Sequence, residues 1–439
     1  MSEVIQFVST RRKSPPVDFK TALIDGIAPD GGLYLPSGYP QISYSTIRSL
    51  DYPLFAADIL SRWIADDIGR ESLADICKDA FDFDIRLIPL SGRNWSDCYV
   101  LELFHGPTLS FKDFGARFMA RAMGSLIESD GRRITILVAT SGDTGSAVAD
   151  AFSGLKGIDV ILLYPKNQVS STQERQLTVK RTGVTACRVD GSFDDCQKLV
   201  KSAFEADSAS PMSLSSGNSI NIGRLLPQSV YYAWATQMLD DRSSFCVPSG
   251  NLGNITGGAL AVRSGLVVNR IIAAHNANSF FPEFLIDDAT PMRESVRTLS
   301  SAMDVGSPSN LERLTSLFSP EELRRLFTGI SISDRETTET IKRVLDETGY
   351  LADPHTAVAL EGIQRMRKEQ RLNGPVVALS TAHPAKFSDT VQMATGRNPA
   401  ASEKLSRLKD MTTAVVDIPA TQSAFRSILD ESNRNSVSA

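Results

Sequence analysis

Cysteine and histidine are scarce in this 439-residue chain, with five of the first and four of the second. The cysteines, Cys77, Cys98, Cys187, Cys196 and Cys246, form no Cys-x-x-Cys pair, and their odd number argues against a secreted disulfide framework. A reducing cytoplasm is the expected setting. The histidines, His105, His275, His355 and His383, lie too far from one another and from the cysteines for helix-borne zinc spacing, so no metal is expected. No apolar run approaches the roughly 18 residues of a membrane span. Arg11, Arg12 and Lys13 lead into Ser14, Pro15 and Pro16 rather than into the apolar segment of an export signal. Basic residues number 46 against 51 acidic, a net charge of −5 with no long block of one sign. That excludes a dedicated surface for nucleic acid or anionic lipid. Fixed-period repeats and low-complexity tracts are absent too, which leaves small-molecule chemistry.

What is present is ordinary globular material, 42% hydrophobic and 22% charged. On a prior of about 150 residues per domain, the length suggests two or three domains. From residue 134 onward, short β-branched runs alternate with Gly-, Ser- or Asp-bearing turns and longer helical patterns. Strands are expected at 134–139, 159–163, 186–189, 245–247, 270–274 and 376–379. Helices are expected after most of them, one capped by Asp353 with Pro354 in its first turn. Such alternation predicts an α/β protein of mainly parallel sheet covered by helices, with ligands beyond the carboxyl ends of the strands. Residues 1–95 differ, with helical patterns at 43–66 and 71–82, and read as a separate, mainly helical unit. The polar stretch 280–335 reads as an insertion or cap rather than sheet.

Three strand-to-helix turns are rich in glycine and small polar side chains: Ser141–Gly145, Ser249–Asn254 and Ser380-Thr381-Ala382. Free backbone N–H groups and the helix dipole converge at such a turn and suit a phosphate or carboxylate. None has the spacing of a dinucleotide fingerprint or a P-loop, and each alone could be an ordinary tight turn. Three together favour an anionic cofactor or substrate. Lys112 lies between Phe111 and Phe114 in His105–Gly115. A lysine desolvated by aromatic neighbours has a lowered pKa and supplies the neutral amine that Schiff-base chemistry needs. The competing reading is a solvated surface lysine.

The strings HGPTLSFKDFG (105–115), ATSGDTG (139–145), NSINIGRLLPQ (218–228), VPSGNLGN (247–254) and TAHPAKF (381–387) resemble those of the threonine synthase family. That family consists of pyridoxal-phosphate enzymes of fold type II, the tryptophan-synthase-β-like group. Val17-Asp18-Phe19, Gly31–Pro36, Ala302-Met303-Asp304 and Ser309-Asn310 extend the resemblance to nearly the whole chain. It implies two doubly wound, mainly parallel sheet domains with the cofactor cleft between them, a smaller one at 96–213 and a larger at 214–439.

By the same resemblance, Lys112 would hold pyridoxal 5'-phosphate as a Schiff base and then shuttle protons. Ser249, Gly250, Asn251, Leu252 and Asn254 would cup the cofactor phosphate, and the hydroxyl of Thr381 would face the pyridine nitrogen. Ser141, Asp143 and Thr144 would lie in the loop that takes the substrate carboxylate. Asn218, Arg224 and Lys386 are candidates for closing the site or gripping the substrate phosphate, with surface or interdomain charge as the alternative for the last two. The implied reaction joins O-phospho-L-homoserine and water to give L-threonine and phosphate, in a monomer or homodimer. The histidines are read as positioning residues.

Two departures from the family pattern bear on product choice: Ile222, where a larger aromatic is common, and Asn276-Ala277-Asn278-Ser279. A phospholyase releasing 2-oxobutyrate, ammonia and phosphate is therefore the rival enzyme. An inactive cofactor-binding interaction protein is the rival outside enzymology.

Overall fold

The structure is a computed structural model that describes residues 4–43, 51–128, 131–207, 213–239, 242–287, 293–400 and 402–437. Near the N-terminus, β1 (Phe7–Ser9) pairs antiparallel with β2 (Tyr34–Pro36). The strands that follow are β3 (Arg86–Pro89), β4 (Cys98–Glu102), β5 (Ile134–Ala139), β6 (Ile158–Pro165), β7 (Val184–Asp190) and β8 (Ser213–Ser216). Then come β9 (Ser244–Pro248), β10 (Arg270–His275), β11 (Phe327–Ser331), β12 (Val376–Ser380) and β13 (Val416–Pro419). They form a six-stranded sheet in the order β11-β10-β9-β12-β4-β3 and a five-stranded sheet in the order β13-β7-β6-β5-β8. Every neighbouring pair is parallel except β3 with β4. Central strands such as β5 (ITILVA) and β12 (VVALS) are buried along their whole length, as parallel strands covered on both faces must be.

Sheet membership crosses the sequence divisions at 95/96 and 213/214. β4 belongs with β9–β12, and β13 returns to the five-stranded sheet beside β7. The stretch 280–335 is not wholly a cap either, because β11 continues the larger sheet beside β10. The polar composition around it hid the strand: FTGIS is short and edge-placed, and only one side of it carries a partner strand.

In the N-terminal region the helical pattern at 43–66 is realised as Tyr52–Ile68, and 44–50 lie outside the described residues. Asp51 caps that helix by accepting from the Leu54 N–H at 3.0 Å. A second helix runs Arg70–Ala80. These helices share one hydrophobic core with both sheets. Phe114, on the helix Lys112–Glu128, is where they meet: its ring lies 5.8 Å from Tyr52, 5.0 Å from Phe83 and 5.5 Å from Tyr231. Arg117, one turn on, donates to the Ala80 carbonyl at 2.8 Å. The start of the lysine-bearing helix is thereby set by aromatic packing from three segments.

Candidate active site

The carboxyl ends of β5, β9 and β12 open into a cleft lined by residues from several distant parts of the chain. Of the residues singled out from the sequence, Lys112, Asp143, Arg224, Ser249, Gly250, Asn251, Leu252, Asn254 and Thr381 line it. Ser141, Thr144, Asn218 and Lys386 do not line it.

Lys112 is the first residue of its helix, where the dipole disfavours a positive charge. Its amine is pushed down to about 8, first by burial and then by the Arg224 guanidinium, with Lys386 adding and Asp143 opposing. Only one of its two phenylalanine neighbours contributes directly. The amine lies 4.9 Å from the Phe111 ring centroid, while Phe114 sits in the core. Residues two apart on a helix point in different directions, which adjacency in sequence does not convey. The Phe111 N–H donates to the Thr381 carbonyl at 2.9 Å, so the lysine segment is tied to the turn after β12 and Thr381 is set in the same wall.

The turn after β9 is built for an anion. A φ of 59° at Leu252 swings the chain from β9 into the helix Gly253–Arg263, whose first-turn N–H groups lack partners within the helix. Gly250 has no room for a side chain: a Cβ there would meet Met303 Cα at 2.8 Å. Asn251 is pinned on both sides, donating to Ser219 Oγ at 2.9 Å and accepting from the Ser309 N–H at 2.6 Å. Asn310 donates to the Asn251 carbonyl at 3.0 Å and is itself held by Arg313 at 2.7 Å. Asn254 accepts from the hydroxyls of Tyr231 at 2.7 Å and Tyr232 at 2.8 Å. Its amide nitrogen is buried without a partner among the described residues.

The turn after β5 is held differently. Thr140 Oγ1 accepts from the N–H groups of Gly142 at 3.0 Å and Gly145 at 2.8 Å. Asp143, buried in the cleft wall, accepts from Gln173 at 3.1 Å and lies 2.8 Å from the Lys386 amine. Burial acts most strongly and raises its pKa, but Lys386 together with its other neighbours, Gln173 among them, holds it below the usual carboxylate value. Lys386 also donates to the Thr108 carbonyl at 2.9 Å, and its side chain is 0% exposed. Lys386, a candidate for closing the site or gripping the substrate phosphate, thus has its amine on Asp143 and the Thr108 carbonyl. Asn218 likewise spends its amide on the Ala139 carbonyl at 2.8 Å, supporting the end of β5. Arg224 remains in the wall; one of its terminal nitrogens donates to the Gly217 carbonyl, and its Nε is buried without a partner among the described residues.

Sequence reasoning passed over Ser219, Gln173 and the placement of His355. Ser219 sits inside the quoted string 218–228, so its signal was present. His355 lines the cleft, whereas His105 pairs with Glu102 at 2.8 Å and His275 faces the Asn278 carbonyl at 3.1 Å. Of the two departures, Ile222 is fully buried in the core. Asn276 and Asn278 both donate to Asp304, at 2.8 and 3.2 Å.

A lysine of lowered pKa, an anion-receptive backbone turn in the same cleft, and the Asn254 amide, without a partner among the described residues, together fit an aldehyde carrying a phosphate. The fold and this site define a pyridoxal-phosphate-dependent enzyme. Residues 85–382 match the family model for pyridoxal-phosphate dependent enzymes, 6–81 that for the threonine synthase N terminus, and 356–429 that for the threonine synthase C-terminal region. Threonine synthase of Escherichia coli is 38% identical over 421 residues, covering 94% of this chain and 96% of the relative. The pyridoxal-phosphate-bound crystal structure of threonine synthase from Brucella melitensis superposes with a TM-score of 0.89 at 35% identity, covering 98% of this chain and 100% of that one. The yeast threonine synthase structure gives 0.86 at 29% identity, covering 98% and 99%. The chain belongs to the threonine synthase family.

Proposed function

We propose that this protein converts O-phospho-L-homoserine and water to L-threonine and phosphate, in the cytoplasm, as a monomer or homodimer. The observation that carries the reading is the placement of two anion-receptive turns and Arg224 around one lysine of lowered pKa. A phosphorylated cofactor and a substrate bearing both carboxylate and phosphate need that many anion contacts. Five free, buried cysteines suit a reducing compartment.

Bound pyridoxal phosphate supplies the electron sink that acidifies hydrogens of an amino acid joined to it. Lys112 would hold the cofactor and, with its amine freed, would move protons off the substrate Cα and Cβ as phosphate leaves, onto Cγ, and back onto Cα once water has added at Cβ. Ser249, Gly250, Asn251, Leu252 and Asn254 would retain the cofactor phosphate through backbone N–H groups and the Asn254 amide. Thr381 would face the pyridine nitrogen with a neutral hydroxyl, which, unlike a carboxylate, would not hold it protonated. Ser141, Asp143 and Thr144 carry the turn whose N–H groups receive the substrate carboxylate. Arg224 grips the substrate phosphate, and Asn218 keeps the carboxylate turn in place from behind.

The deciding experiment incubates the cofactor-loaded protein with O-phospho-L-homoserine and quantifies phosphate, threonine and 2-oxobutyrate together. Threonine equal to phosphate is the expected result. Phosphate matched by 2-oxobutyrate would replace the synthase with a phospholyase, and no phosphate release would reject the substrate. Light scattering on the same preparation reads the oligomeric state.

A further inference from the structure

The backbone of Met303 rests on Gly250, so closely that a Cβ at Gly250 would lie 2.8 Å from Met303 Cα and 3.1 Å from its carbonyl oxygen. The turn Ser301–Met303 therefore caps the Ser249–Asn254 turn. Its far side is held by Asp304, which accepts from Asn276 at 2.8 Å and from the Thr298 hydroxyl at 2.7 Å. Its near side is held by a histidine. The Ala302 N–H donates to His355 Nε2 at 3.2 Å, and His355 Nδ1 lies 2.7 Å from Asp353 Oδ1. A carboxylate can only accept, so Nδ1 carries the ring proton and Nε2 is left as the acceptor that Ala302 needs. Asp353 is buried at the N-cap of the helix Pro354–Lys368 and also accepts from the His355 and Thr356 N–H groups, so the ring has little freedom to turn.

We propose that His355 is a positioning residue for the cofactor: through Ala302 it holds the 301–303 turn closed over the cup that retains the cofactor phosphate. This rests on the reading of Ser249–Asn254 as that cup. His355 itself transfers no proton. Its contribution is a slow loss of bound cofactor, because the phosphate leaves only when the cap lifts from Gly250.

Two substitutions separate the acceptor from the rest of the ring. His355→Gln places an oxygen near the Nε2 position, while His355→Asn keeps a donor near Nδ1 and has nothing at Nε2. Each holoprotein is diluted into cofactor-free buffer with a phosphatase that consumes released pyridoxal phosphate, and loss of the Schiff-base absorbance is followed. Losing one hydrogen bond to a buried group predicts cofactor release about tenfold faster in His355→Asn. His355→Gln should stay within about twofold of the parent. Loaded instead with pyridoxal, which lacks the phosphate, all three proteins should release at one rate. Thermal melting of the apo-proteins checks that the fold is kept. Equal release of pyridoxal phosphate by His355→Asn and the parent would overturn the proposal, as would release from His355→Gln as fast as from His355→Asn. If the parent retains pyridoxal phosphate no better than pyridoxal, the cup reading itself falls, and the proposal with it.

Discussion

The turns after β9 and β5 have the same local form, a buried parallel strand running through small residues into a helix, yet they are stabilised by opposite means. Around Ser249–Asn254 the supports are neutral: Ser219, Asn310, two tyrosine hydroxyls and the backbone of Met303. Around Ser141–Gly145 the main support is a buried ion pair, Asp143 with Lys386, backed by Gln173. A cup walled by neutral groups leaves its backbone donors uncompensated, which suits a permanently held dianion. A turn whose one carboxylate is neutralised by a lysine can admit a second anion without repelling it. The same anion-binding geometry can thus be tuned for retention or for turnover by what stands behind it.

Three experiments would break or sharpen that contrast. The largest effect is expected from Lys386→Met, which strands Asp143 without its partner in a buried wall. Breaking such a pair costs about 3–5 kcal/mol, read as a fall in denaturation midpoint. In an Asp143→Asn background the same change should cost much less, and an undiminished cost would mean that Lys386 acts through Thr108 instead. Gly250→Ala should come next. Its methyl would press on backbone rather than on a side-chain tip, at about 1–3 kcal/mol, and equilibrium titration should show cofactor affinity weakened while the Asp143–Lys386 contact is untouched. Affinity equal to the parent would show that the cap yields freely.

The smallest effect concerns the lysine between the two turns. With its amine held at about 8 rather than 10.5, the reactive neutral form grows as pH rises and is nearly complete just above that value. Capture of pyridoxal phosphate by the apo-protein should therefore accelerate about tenfold per pH unit below 8 and level off there. A rate still climbing at pH 10 would mean that burial and Arg224 do not depress this amine.

Much of this arrangement was legible along the chain. The expected strand 134–139 is β5 residue for residue, and the Asp353-Pro354 cap begins its helix as read. Such features depend on neighbours a few residues away, so hydrophobic period, capping side chains and glycine placement encode them directly. Legibility failed where the partner was distant. Phe114 looked like a wall of the lysine site because sequence shows adjacency, whereas helical geometry turned it into the aromatic core. β11 was hidden by its polar surroundings, and β13, short and largely exposed, was not among the expected strands.

By itself, then, the chain determined its alternation of strand and helix, the positions of its anion-receptive turns and, through its motifs, the family and the lysine. Tertiary structure alone decided that Lys386 neutralises Asp143, that His355 reaches Ala302, that β3 and β4 join the sheet of β9–β12, and that β13 leaves that sheet for the one formed by β5–β8. The physical reason is that local conformation follows from steric and hydrogen-bonding preferences within a few residues, while a buried charge or acceptor is satisfied by whichever distant group packing brings within about 3 Å.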